Sequence, residues 1–258
     1  MGTYTYDSEF FDYIEIGSRR SAKLVIRLLL DKLSVSSVLD VGCGRGVWLD
    51  EWLNQGISDV TGVDGSYIEV DKLVIPAGNF YAANLAETLD LGRKFDLVQS
   101  LEVAEHIPEQ YADTFVKNLI AHGDIVVFSA APPGQGGEFH VNEREYSYWR
   151  DKFAQHGYQL IDFLRPQVLK QSEIEPWYRY NTMLFVRDSV VADLPADLQA
   201  FMVALSKPVK DYAPTSWKIR RQILSRLPNS VVSWIAIVKH SIVLTLYRLQ
   251  KMFAARKQ

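Results

Sequence analysis

The stretch Val38-Leu39-Asp40-Val41-Gly42-Cys43-Gly44-Arg45-Gly46 constrains this chain more than any other. An apolar run broken by a single acid reads as a buried strand, and three glycines at alternate positions close it in a tight turn. A helix is expected from Val47. Glycines at such a turn permit positive φ and a close approach of backbone to ligand, and the helix N-terminus behind them leaves N–H groups free. The arrangement is a cradle for a small molecule. A dinucleotide fingerprint spaces its glycines G-x-G-x-x-G. Here the spacing is G-x-G-x-G, with Asp40 two residues ahead of the first glycine. An acid at that place disfavours a pyrophosphate and suits a cationic group.

Strands and helices alternate downstream. Ser37 to Val41 reads as the first strand and Val47 to Gln55 as its helix. Asp59 to Val63 is the second strand, ending at Asp64, which lies 18 residues past Gly46. An acid after the second strand of such a unit accepts hydrogen bonds from ribose hydroxyls. Further strands are expected at 79–83, 95–100, 124–130, 159–163 and 181–186, with helices at 18–33, after Pro108, at 144–155 and at 196–205. This alternation predicts an α/β fold with a mostly parallel sheet flanked by helices.

The glycine loop with Asp40, followed in order by Asp64 and Asn84-Leu85, resembles motif I and its successors in class I S-adenosylmethionine (SAM)-dependent methyltransferases, over roughly Ser18 to Arg187. The resemblance implies a Rossmann-like seven-stranded sheet whose seventh strand is antiparallel. It implies SAM as cofactor, held by Asp40, Gly42, Cys43, Gly44, Gly46, Asp64, Asn84 and Leu85. The family usually has Asp-Leu beside the adenine; Asn84 offers both a donor and an acceptor. In this family the segment before motif I often packs over the SAM site as a lid. The aromatic residues Tyr4, Tyr6, Phe10, Phe11 and Tyr13 and the expected helix from Ser18 fit that role, or that of covering the sheet edge.

Methyl transfer from SAM is an in-line displacement, so the enzyme aligns the partners and removes a proton where the acceptor is a hydroxyl. Glu102-x-x-Glu105-His106, after the fourth strand, and His140, in the glycine-rich loop Pro132 to Glu143, are the candidate catalytic residues. Two carboxylates and two imidazoles also form a plausible shell for a divalent metal. The set resembles the metal site of ubiquinone-pathway O-methyltransferases and of small-RNA 3′-end 2′-O-methyltransferases, where the resemblance implies a metal holding vicinal hydroxyls. A metal site, a metal-free histidine base and a structural role all stay open. Tyr146, Trp149 and Trp177 are candidates for stacking on a sugar or base, or for the core.

The chain is long enough, at 258 residues, for one large domain plus an extension. The expected division is a methyltransferase domain over residues 1–188 and a helical extension over 189–258 that ends in a basic amphipathic helix. The single cysteine, Cys43, fits a reducing cytoplasm. The polar, aromatic N-terminus is no secretory signal, and no apolar run is long enough for a transmembrane helix. Charge is unevenly placed: residues 216–258 carry nine Lys or Arg and no acid, while the first 215 carry 19 basic and 31 acidic side chains. From Asn229 to Lys257, Ile235, Val238, Ile242, Leu246, Leu249 and Phe253 form a helical stripe beside Lys239, His240, Arg248, Lys251, Arg256 and Lys257. Such a helix suits an anionic membrane surface, a partner, RNA phosphates or the body itself. The reading reached is an O-methyltransferase acting on a hydroxyl of a sugar or glycan precursor, cytoplasmic and peripheral to the inner face of a membrane. The alternatives are an RNA 2′-O-methyltransferase, favoured by the basic tail and opposed by the acidic body, and a non-catalytic SAM-binding scaffold recruited to a membrane.

Overall fold

A computed structural model describes residues 8–228, 230–238, 241–243 and 245, with side chains from Glu15 onward. The elements in chain order are α1 (Ser8–Leu30), β1 (Ser37–Val41), α2 (Val47–Asn54), β2 (Asp59–Asp64), β3 (Phe80–Ala82), β4 (Leu97–Leu101), α3 (Ala112–His122), β5 (Ile125–Ser129), α4 (Tyr146–Ala154), β6 (Tyr158–Ile161), α5 (Leu164–Val168), α6 (Pro176–Asn181), β7 (Met183–Arg187), α7 (Ala196–Gln199) and α8 (Thr215–Leu224).

The strands form one sheet of order β3-β2-β1-β4-β5-β7-β6. All pairs are parallel except those of β7, which runs antiparallel between β5 and β6. Strands buried on both faces read as near-continuous apolar runs, and Val38, Leu97 and Val127 face one core while Leu39, Val98, Val126 and Phe128 face the other. The first core lies under α1 and α2 and includes Ile26, Leu29, Trp48 and Trp52. The Trp52 indole N–H donates to Gln99 Oε1 at 2.8 Å, so this buried donor is satisfied. The second core lies under α3 and α4, where Phe153 and Phe185 stack with ring centroids 4.0 Å apart. Successive pairing of β1 with β2 on one side and β4 on the other opens a crevice at the carboxyl end of β1, the usual ligand position in such sheets.

Three expectations change. The helix expected from Ser18 begins at Ser8 and runs through Gly17, where a Cβ would lie 2.4 Å from the Glu175 carboxylate. The helix expected over 196–205 stops at Gln199, because the chain turns to extend the sheet edge: Met202 bridges Ile161, and Val203 N–H donates to Leu160 O at 2.9 Å. Trp149, a stacking candidate, is fully buried between Phe128 and Tyr148, and Tyr146 is also buried; both are core residues. Tyr4 and Tyr6, together with Lys239, His240, Leu246, Leu249 and all later positions of the tail stripe, lie outside the described residues.

Candidate active site

The turn after β1 has Gly42, Gly44 and Gly46 at φ 88°, 55° and 88°. Only glycine fits Gly42, since a Cβ there would lie 2.3 Å from a Val103 methyl. Gly46 caps α2, whose first residues Val47 and Trp48 are buried and so anchor the turn. Asp64, at the end of β2, accepts from the Gly44 amide at 2.7 Å and the Gly65 amide at 2.6 Å, and from the Tyr67 hydroxyl. One carboxylate thus fixes the glycine loop and keeps lone pairs for further donors.

Two cavities share Gly42 and Gly44. The larger, of about 770 Å³, is lined by Asp64, Tyr67, Asn84, Leu85, Glu102 and His106. The smaller, of about 170 Å³, is lined by Glu15, Ser18, Asp40, Cys43, Trp48 and Tyr178. Burial pushes the Asp40 carboxyl up to about 7, and the nearby Asp64 charge adds to the rise. A cation beside Asp40 would restore its charge. Cys43 turns its sulfur under Gly62, 2.7 Å from where a Cβ would be, so its backbone is the part that shapes the cradle. Asn84 Nδ2 donates to Glu87 Oε1 at 2.7 Å, and Asn84 Oδ1 accepts from the Ala86 amide at 3.1 Å, making this exposed residue a turn-former at the cavity rim.

At the far side of the large cavity the loops after β4 and β5 meet. The Glu105 carbonyl accepts from the amides of Val141 and Asn142, both at 2.9 Å, and so joins the two loops. Glu102 sits at φ 57° with its amide on Ser129. Its carboxylate accepts from Gln135 Nε2 at 2.7 Å and Asn181 Nδ2 at 3.1 Å. The His106 and His140 rings meet edge to face, with centroids 4.9 Å apart. One ligand atom from each of Glu105, His106 and His140 lies within 4.8 Å of the others, whereas Glu102 does not join this group. Burial pushes the Glu105 carboxyl well up, with the Glu102 charge adding to it, and its Oε2 is buried without a hydrogen-bond partner. Desolvation, with His140 beside it, holds His106 down at about 4, although the residue as a whole stays exposed. His106 is therefore a neutral imidazole at pH 7, a poor base and a competent ligand.

His140 differs. Its Nδ1 lies 2.8 Å from Glu143 Oε1, and Glu143 also accepts from the Gly134 amide at 2.7 Å and the Gly136 amide at 2.8 Å. A Cβ on Gly137 would lie 2.1 Å from His140 Nε2, so the glycine is what seats the ring. A carboxylate on Nδ1–H leaves the Nε2 lone pair free. The spacing of Glu143, three residues after His140, carried that signal in the sequence; Gln135 and Asn181 had none.

A family model described as a methyltransferase domain matches residues 13–172. Among curated proteins, ubiquinone biosynthesis O-methyltransferase of Mesorhizobium japonicum is 40% identical over 85 residues, 31% of this chain and 33% of that protein. Its namesake from Bartonella quintana is 32% identical over 142 residues, 52% of this chain and 56% of that protein. The matches thus span about half or less of these relatives. Among solved structures, a sugar N-methyltransferase from Streptoalloteichus superposes with a TM-score of 0.57 at 17% identity, covering 72% of this chain and 95% of that one. Magnesium protoporphyrin IX methyltransferase from Synechocystis, with bound SAM, gives 0.50 at 23% identity, covering 72% and 86%. Both share the fold.

Proposed function

The chain belongs to the methyltransferase-domain family, and on that premise we propose that it transfers a methyl group from SAM to a hydroxyl of a sugar or glycan precursor. The catalytic unit extends through β7, with the residues after Asp188 as the extension. The observation that carries the reading is that His106, which lines the cavity walled by Gly42 and Asp64, meets His140 and Glu105 behind it.

The residues fit SAM. Asp40, buried at the small cavity with no cationic side chain among its described lining residues but Arg45, would pair with the methionine ammonium. Asp64 would accept from the ribose hydroxyls, Asn84 and Leu85 would flank the adenine, and the glycines leave room for the backbone of the cofactor to pass between the two cavities they line. SAM, when bound, supplies an activated methyl on a sulfonium leaving group. The protein's part is alignment and proton removal. As the acceptor oxygen takes the methyl, its proton passes to His140 Nε2, and the imidazolium formed is paired with Glu143. Glu102, fixed by Gln135 and Asn181, orients the acceptor from the opposite loop.

One observation favours a second form of this chemistry: the buried, unpartnered Glu105 Oε2 beside two imidazoles. In it Glu105, His106 and His140 hold a divalent ion, which lowers the pKa of a bound hydroxyl. Nothing favours RNA as acceptor beyond the basic tail, and the intact histidine cluster argues against a non-catalytic scaffold. Incubation with methyl-labelled SAM and separate pools of nucleotide sugars, lipid-linked sugars and RNA tests the proposal. Label in a sugar pool supports it; label confined to RNA, or absence of SAM binding by calorimetry, rejects it.

A further inference from the structure

The C-terminal extension is bound to the loop that carries His140. A Cβ on Gly134 would lie 2.0 Å from the Arg221 carbonyl oxygen, so loop and helix backbones touch. Arg220 donates to the Gln135 carbonyl at 3.0 Å. Leu224, Leu227 and Val232 face His140 and Glu143 across a cavity of about 200 Å³.

The outward side of the same segment is apolar. Ile219 and Ile223, one turn apart on α8, are 52% and 57% exposed. In the helical run 230–238 and its continuation, Val231, Trp234, Val238 and Ile242 follow at helical spacing and are all exposed, Trp234 at 64%. None of these side chains takes part in the clamp on the glycine loop. Charge narrows what can cover them. Residues 216–258 hold nine cations and no anion, whereas the preceding chain is net acidic. A two-fold contact would bring two segments of this same net charge together. Among the described residues no helix is long and apolar enough to cross a membrane. A cationic segment with an exposed tryptophan and an apolar stripe has the composition of a helix lying in a lipid interface.

We propose that α8 and the helical run after it dock on an anionic lipid bilayer, with Ile219, Ile223 and Trp234 entering the headgroup boundary. The docking itself does not depend on the methyltransferase reading; only its use, to bring the acceptor loop to a lipid-borne substrate, rests on that reading.

Flotation of the full-length protein with phosphatidylglycerol–phosphatidylcholine vesicles, against vesicles of phosphatidylcholine alone, tests it. Binding is expected to the anionic vesicles only, to weaken as salt is raised, and to fall at least about tenfold in Ile219→Glu/Ile223→Glu and in Trp234→Glu. Calorimetry with SAM on the same variants shows whether they are folded, and separates failure here from failure of the methyltransferase reading. Absence of binding to anionic vesicles at low salt overturns the proposal. So does equal binding to both vesicle types, or binding that the folded variants retain. A dimer in light scattering that the same substitutions dissolve, without vesicle binding, assigns the face to a second copy and likewise overturns it.

Discussion

Glu143 Oε1 lies 2.8 Å from His140 Nδ1, and the same carboxylate takes the amides of Gly134 and Gly136. One side chain therefore sets both the tautomer of the imidazole and the shape of the loop that presents it. His140→Ala should leave SAM affinity nearly unchanged and lower turnover by about 10²–10⁴, the range of a positioned base. Glu143→Gln keeps the size but loses the charge, and a fall of about 10–100-fold is expected. Single-turnover rates with saturating labelled SAM make the measurement, and a fully active His140→Ala removes that residue from the mechanism.

Asp64 is expected to govern the donor alone. Asp64→Ala leaves two ribose hydroxyls and the Gly44 amide without an acceptor, which should weaken SAM binding by about 1–3 kcal/mol. Calorimetric affinity equal to that of the parent protein rejects the assignment.

The affinity for SAM should depend on pH through Asp40. Burial, aided by Asp64, holds its pKa at about 7 in the free protein. A bound ammonium favours the ionised form, so below that pKa a proton must leave for SAM to bind. Affinity is then full above about pH 7 and falls by up to about tenfold per unit as pH drops below it. Asp40→Asn should bind weakly at all pH values with a flat profile. A flat profile in the parent protein counts against the pairing.

Metal dependence can be read directly. If Glu105, His106 and His140 hold an ion, dialysis against EDTA abolishes turnover, Mn²⁺ or Zn²⁺ restores it, and Glu105→Gln imitates chelation. That outcome would select the second form of the mechanism, in which a cation takes the unpartnered Glu105 oxygen; with His140 as the base, turnover is expected to survive chelation. Full turnover after chelation, with no metal by elemental analysis, leaves the proton to His140 alone.

Gly134→Ala should destabilise the fold by about 1–3 kcal/mol, since φ is 75° and the added methyl meets the Arg221 carbonyl. Thermal unfolding reads this, with Gly44→Ala as a comparison: φ there is 55° but nothing lies within 4 Å. Equal losses at the two sites would show that the contact with α8 contributes nothing.

The donor side was largely legible in the sequence because its signals are local. Asp40, the glycines and Asp64 stand at strand ends, and a strand buried on both faces shows as an apolar run. Elements governed by distant partners were not legible. Ile161 draws Met202 out of a helix, and the glycine at position 17 answers to Glu175, far along the chain. On the acceptor side the histidines and glutamates were visible as residue types. The separation of Glu102 from the Glu105 group was not, since it depends on Gln135 and on Asn181, 79 residues away. No spacing rule links residues brought together by a sheet crossover.

The hold of Asn181 on Glu102 bears on how kinship should be used for this chain. The family match ends at residue 172, so Asn181, like Arg220, belongs to a stretch the shared pattern does not cover. On the proposed reading, substitutions in that last third would alter what is methylated while Asp40 and Asp64 stay intact. Kinship over residues 13–172 would then speak for the methyl donor and leave the acceptor to residues outside it.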